Sequence, residues 1–248
     1  MKFREFGSDK NETIILLHGG GLSWWNYRAE AEMLQSDHHV VLPILDGHAG
    51  SDRSFTSIEQ NAEEIIEYID KNHGGKVLLI GGLSLGAQIL LEILSQRNDI
   101  CRYAIVESAA AVESKLTNLL IGPSISSSYG LIKNRRFAKQ QFKSLHMKED
   151  LFEDYYRDTC KITKQDYIAF LKANTAYSLK GEIADTKAGV YVFAGEKETG
   201  VIKRSAGIIG STIPGCKVKM LPGFFHGEFS LNYPQRYADL VKQVIGDK

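Results

Sequence analysis

A serine with a glycine two residues to either side, a histidine in a distant glycine turn and a carboxylate between them are the parts of a nucleophilic acyl-transfer site. Ser84 stands in Gly82-Leu83-Ser84-Leu85-Gly86, and His226 in Pro222-Gly223-Phe224-Phe225-His226-Gly227. A serine hydroxyl is a poor nucleophile until a base takes its proton, and an imidazole base needs an acid to hold its tautomer and balance its charge. Gly195-Glu196-Lys197-Glu198 offers Glu198 as that acid, with Glu196 and Glu107 as alternatives. Attack on a carbonyl builds an oxyanion, which preorganised backbone N–H groups stabilise. The glycines of His18-Gly19-Gly20-Gly21 let the main chain come close enough, so the donors are assigned to the N–H of Gly20 and that of Leu85, which follows the serine. His18 itself reads as a structural hydrogen bonder at a strand end. A phosphate loop is the competing reading of this glycine cluster, but the sequence has no G-x-x-x-x-G-K-[ST] and no G-x-G-x-x-G opening a helix.

These side chains meet only if the chain places them at one edge of a sheet. Residues 14–17 form a short β-branched apolar run that stops at the glycine cluster, as a buried strand does. Further strands are expected at 39–45, 76–80, 102–106, 189–193 and 217–221. Between them, residues 57–72 carry apolar side chains at helical spacing behind Ser57, with Gln60 at the capping-box position. Helices are also expected at 85–96 and 234–245. Strands alternating with helices predict a parallel sheet covered on both faces. Ser84, Glu198 and His226 each follow a strand, so all three belong at its carboxyl edge. The interval 112–185 has helical patterns and no buried strand, which predicts a helical cap (lid) inserted into a core made of 1–111 and 186–248. Leu22, Trp24, Trp25 and Leu85, with Gly21, are the candidates to wall a pocket between sheet edge and cap; the tryptophans could instead pack beneath the cap.

With 248 residues the chain suits one domain with an insertion. Thirty basic and thirty acidic residues give no net formal charge, which excludes a dedicated nucleic-acid binder. A basic run in the cap, Lys133, Arg135, Arg136, Lys139 and Lys143, reads as a solvated helix face, with an acidic substrate tail as the alternative. No run approaches the roughly twenty apolar residues of a membrane span. The N-terminus has charges where an export signal needs an apolar core, so a cytoplasmic location and no membrane partner are expected. Cys101, Cys160 and Cys216 are scattered and odd in number, as reduced thiols are, and offer no zinc site.

Taken together, these segments resemble the α/β-hydrolase-fold serine hydrolases with a helical cap. His18-Gly19-Gly20-Gly21 resembles the family's oxyanion loop, and Asp46-Gly47-His48-Ala49-Gly50-Ser51-Asp52 its glycine-rich turn. Gly82-Leu83-Ser84-Leu85-Gly86 resembles the nucleophile elbow, Gly195-Glu196-Lys197-Glu198 the acid turn and Gly223-Phe224-Phe225-His226 the histidine loop. The order serine, acid, histidine is also the family's. The resemblance implies an α/β fold with a mostly parallel sheet flanked by helices, and a serine esterase or thioesterase without metal or cofactor; the apolar pocket candidates point to a small to medium hydrophobic acyl substrate. Relatives usually place Asp where Glu198 stands. A serine nucleophile argues against the dehalogenase and epoxide-hydrolase branches. A C–C hydrolase, a peptidase or a non-catalytic ligand binder on the same fold are the alternatives.

Overall fold

In the computed structural model, which describes residues 1–246, seven strands form a single sheet in the order β1-β3-β2-β4-β5-β6-β7. β1 (Lys2–Phe6) runs antiparallel to β3 (His39–Ile44). β2 (Thr13–Leu17), β4 (Val77–Leu83), β5 (Cys101–Glu107), β6 (Gly189–Gly195) and β7 (Lys217–Leu221) run parallel to their neighbours. The inner strands β2, β3 and β4 are buried along their whole length, as continuous apolar runs require when helices cover both faces.

Two cores sandwich the sheet. On one face, α2 (Ile58–His73) and α3 (Leu85–Gln96) close over Ile15, Leu17, Ile80 and Ala104. Ser57 caps α2 by accepting the Gln60 N–H at 3.0 Å, and Gly74 ends it in the left-handed conformation. On the other face, α1 (Arg28–Leu34) and α10 (Pro234–Ile245) cover Ile14, Leu16, Leu79 and Ile105, and Tyr27 and Tyr237 are fully buried there.

Between β5 and β6 the chain is helical: α4 (Lys115–Ser128), α5 (Arg135–Ser144), α6 (Phe152–Thr159) and α7 (Lys164–Ala176). α7 sends Phe170 into the first core, whereas Phe142, Phe152 and Tyr155 of α5 and α6 join the second. Burying each such ring contributes about 2 to 3 kcal/mol, so the insertion is anchored at both ends. Two of the five basic residues of α5 and its approach are paired with acids: Arg135 with Glu153, and Lys139 with Glu149 at 2.7 Å. Two further helices complete the fold, α8 (Gly200–Thr212) between β6 and β7, and α9 (Glu228–Asn232) just ahead of α10. Among the described residues no helix is long and apolar enough to cross a membrane, and the three cysteines are unpaired.

Candidate active site

β4 runs straight into α3 through Ser84, whose backbone is held at φ 53°, ψ −110°. Such a turn needs space on both sides. A Cβ on Gly82 would lie 2.5 Å from the Gly86 carbonyl oxygen, and one on Gly86 only 2.2 Å from that of Leu17. The glycines flanking Ser84 are therefore demanded by the close approach of strand, turn and helix. Ser84 N–H is tied to the Glu107 carbonyl at 2.9 Å, which fixes the turn to the end of β5. The constraint leaves Ser84 lining a cleft of about 270 Å³ that His226 also lines.

β6 ends at Gly195, where a Cβ would meet the Phe224 carbonyl oxygen at 2.2 Å, so the acid turn and the histidine loop are packed backbone to backbone. This contact brings Glu198 Oε2 to 2.7 Å from His226 Nδ1. The second oxygen, Oε1, accepts the Gly195 N–H at 2.7 Å and the Ser108 hydroxyl at 2.8 Å. Burial pushes the Glu198 carboxyl up, but the bonds from His226, Gly195 and Ser108 outweigh it and hold it below the usual carboxylate range. An ionised Glu198 is an acceptor only, so Nδ1 of His226 carries the proton and Nε2 is left to act as a base. No hydrogen bond joins Ser84 Oγ to His226 among the described residues. Such bonds are often loose before substrate arrives and tighten with it.

The other two candidate acids are engaged elsewhere. Glu196 is exposed and accepts the Gly223 N–H at 3.0 Å. Glu107 is buried at the end of β5, where Oε1 accepts the Ser230 N–H at 3.2 Å. Burial pushes its carboxyl up to about 7, helped by the neighbouring Glu198 charge and opposed by the bonds from Ser230. Between about 4.5, the ordinary glutamate value, and about 7 the folded protein keeps a proton that the unfolded chain has released. Stability contributed by this group is therefore full at acid pH and falls as pH rises through that window. Glu107→Gln, permanently neutral, should raise the unfolding free energy at pH 8 by about 3 kcal/mol and leave it nearly unchanged at pH 4. Urea melts at the two pH values check this; equal shifts at both would remove the titration argument.

Gly20 and Leu85 lie side by side: a Cβ on Gly20 would be 3.6 Å from that of Leu85 and 3.4 Å from the Phe170 ring. The Leu85 N–H opens the first turn of α3 and has no intrahelical acceptor. His18 is fully buried. It reaches the Gly19 carbonyl with Nδ1 at 2.9 Å, and its Nε2 accepts the Leu45 N–H at 3.1 Å. Both ring nitrogens are committed, and burial, with the adjacent His48, keeps the ring neutral by lowering its pKa.

Of the five expected pocket residues, only Leu22 lines the cleft; Leu85 is buried in the first core. Trp25 is 2% exposed in the second core and gives its Nε1–H to Asp158 at 3.0 Å. Trp24 faces a different recess, and Gly21, at φ 78°, has open space beside it. Only Trp25 packs beneath the insertion; the 3₁₀ turn Trp24–Tyr27 sets Trp24 against Phe6, with Arg4 and Arg28 over its ring. Leu83, Leu145, Met147, Leu231 and Phe225 supply the cleft's apolar wall instead. Phe225 is stacked on His146 at 3.6 Å between ring centroids, with Lys197 Nζ 4.7 Å from its centroid.

Ser108 had no signal of its own in the sequence beyond following the last residue of a strand at the carboxyl edge. At φ 57° it is one of three non-glycine residues with positive φ among those described. Its hydroxyl gives its proton to Glu198 and accepts the Gly227 N–H at 3.3 Å, and its N–H donates to the Phe193 carbonyl at 2.9 Å. The strained backbone of Ser108 thus ties the acid turn to the histidine loop.

Comparison with known proteins bears on the fold and the family. The alpha/beta hydrolase family profile matches residues 14–240. A "probable alcohol acetyltransferase" of Cyberlindnera fabianii is 23% identical over 188 residues, spanning 74% of this chain; the chain covers about half (49%) of that relative's length. A thermophilic esterase from Thermogutta terrifontis superposes with a TM-score of 0.78 at 16% identity, covering 98% of this chain and 91% of the esterase. The esterase of Exiguobacterium antarcticum gives 0.83 at 15% identity over 98% and 94% of the two chains. The enol-lactonase of Burkholderia xenovorans gives 0.82 at 14% identity over 99% and 96%. At these identities the structural likeness speaks for the fold, and the profile match, which spans most of the chain, speaks for descent. The chain belongs to the alpha/beta hydrolase family.

Proposed function

We propose that the protein is a serine hydrolase that cleaves a carboxylic ester or thioester of a small to medium hydrophobic acyl group. The observation that carries this reading is the 2.7 Å contact between Glu198 Oε2 and His226 Nδ1 at the wall of the cleft onto which Ser84 opens. Ser84 Oγ attacks the carbonyl carbon while His226 Nε2 takes its proton. The N–H groups of Gly20 and Leu85 hold the oxyanion of the tetrahedral intermediate. Collapse expels the alcohol or thiol, which leaves with the proton from His226. Water, deprotonated by the same imidazole, then releases the acid and restores Ser84. The helices between β5 and β6 serve as the cap, since Ser144, Leu145, His146 and Met147 close one side of the cleft. The apolar wall and the modest volume suit short acyl chains.

The experiment is turnover of a p-nitrophenyl ester series. Acetate to hexanoate should give kcat/KM values at least about tenfold above that of dodecanoate. Folded protein that turns over no member of the series would overturn the reading. A second reading, transfer of the acyl group to an alcohol in place of water, is favoured by the likeness to the Cyberlindnera protein and by the apolar cleft. The same acyl-enzyme serves both, and the ratio of ethyl ester to free acid formed in added ethanol separates them.

A further inference from the structure

A second recess, of about 560 Å³, opens where β1 meets the helical insertion. Lys2 and Arg4 reach it from β1, Arg157 and Lys161 from α6 and the turn beyond, with Trp24, Ile44 and Ala49 between them. Four cations and one carboxylate, Asp158, line it, and a second carboxylate, Asp154, bonds Arg157 from beside it, so the recess carries a local positive excess in a chain of zero net formal charge.

That carboxylate is already committed. Asp158 is 4% exposed; it accepts the Trp25 indole N–H at 3.0 Å and Arg157 through Nε at 2.7 Å and Nη2 at 2.8 Å. Arg157 is further held by Asp154 at 2.5 Å, so its guanidinium is fixed in the wall. Lys161 approaches Asp158 only to 3.7 Å. Arg4 rests over Trp24, 5.5 Å from the ring centroid, with Arg28 over the same ring at 5.8 Å. Lys2 makes no hydrogen bond or ion pair among the described residues. Lys2 and Arg4 are two apart on a strand and so share one face, while Glu5 turns to the other face and bonds Tyr68 and His39. Like charges gathered around a recess repel unless an anion answers them. Here they stand on separate elements around a recess of about 560 Å³, which has room for several anionic oxygens.

We propose that this recess binds the phosphate groups of a small molecule carrying a di- or triphosphate. The guanidinium fork of Arg4 and the ammonium points of Lys2 and Lys161, offered from β1 and from the turn after α6, are the donor set such a ligand takes, with Arg157 fixed between them by Asp154 and Asp158. The site is independent of the Ser84 chemistry. Isothermal titration of the intact protein at low ionic strength, with sodium pyrophosphate, ATP and sodium sulfate in separate arms, tests it. Pyrophosphate and ATP should bind one to one and at least about tenfold more tightly than sulfate. An ATP affinity above that of pyrophosphate assigns the added contacts to the nucleoside; equal affinities assign binding to the phosphates alone. Arg4 and Lys161 are exposed, so Arg4→Gln with Lys161→Gln leaves the fold and ester turnover unchanged while weakening pyrophosphate by on the order of tenfold or more. Pyrophosphate binding no tighter than sulfate, or undiminished in the double variant, overturns the proposal.

Discussion

Ser84→Ala is expected to lower kcat on p-nitrophenyl butyrate by about six orders of magnitude, with little change in stability. The loss is so large because the nucleophile, base and acid act as one unit: without the hydroxyl, His226 has no proton to take and no acyl-enzyme forms. The fold should be indifferent. Both serine and alanine carry the Cβ that makes φ 53° costly, and the bond from the residue 84 N–H to the Glu107 carbonyl belongs to the backbone. Steady-state kinetics beside a thermal melt separate the two effects. Turnover within tenfold of the parent protein would remove Ser84 from the chemistry.

Glu198→Gln should cost about four orders of magnitude in kcat, again in a folded protein. In the parent, the two carboxylate oxygens accept from three donors: the His226 ring, the Ser108 hydroxyl and the Gly195 N–H. A glutamine has one oxygen for those donors and turns an amide N–H₂ toward the rest. If the amide nitrogen faces His226, the ring must present an unprotonated Nδ1, which puts its proton on Nε2, where the base lone pair is needed. The corresponding changes at Glu107 and Glu196 should leave the rate within about tenfold of the parent, since their carboxylates bond Ser230 and Gly223. A collapse of rate in Glu107→Gln with a mild effect in Glu198→Gln would assign the acid to β5.

How far the sequence reveals this arrangement depends on how local each signal is. β7 and the helices Leu85–Gln96 and Pro234–Ile245 coincide with their expected bounds: glycine or proline flanks both ends of β7 and of Pro234–Ile245, and in Leu85–Gln96 the apolar run gives way to Arg97-Asn98-Asp99. β1 was not expected. Its Lys-Phe-Arg-Glu-Phe has no apolar run, and its pairing to β3 along one edge leaves most of it exposed. β4 continues three residues past its expected end, through Gly81 and Gly82, which read as a turn. Their missing side chains instead admit Leu16 and the Tyr237 hydroxyl beside Gly81, and the Gly86 carbonyl beside Gly82. α8 carries no helical signal in the sequence for a related reason. Gly207 and Gly210 lower its helix propensity, yet Gly210 is where the helix meets Val218 of β7, and a Cβ would stand 2.4 Å from that side chain.

The same division holds at the site. Ser84, Glu198 and His226 are each announced by short glycine-bearing turns after strands, and chain order sends all three to one edge. The pocket wall is not local: Leu145 and Met147 come from the insertion and Leu231 from α9, so only the folded chain brings them to Leu22. Neighbouring tryptophans in an oxyanion-loop segment suggested a wall, but the 3₁₀ turn at Trp24 redirects them. Ser108 is silent in sequence because its role depends on two bonds to residues 90 and 119 positions away.

Covalent trapping bears most directly on the claim that Ser84 is the activated nucleophile. Incubated with a fluorophosphonate and read by intact mass and peptide mapping, the protein should gain one adduct per chain, on Ser84, at a rate that falls sharply in His226→Ala. No adduct, or one on another residue while Ser84 stays unmodified, would contradict the account.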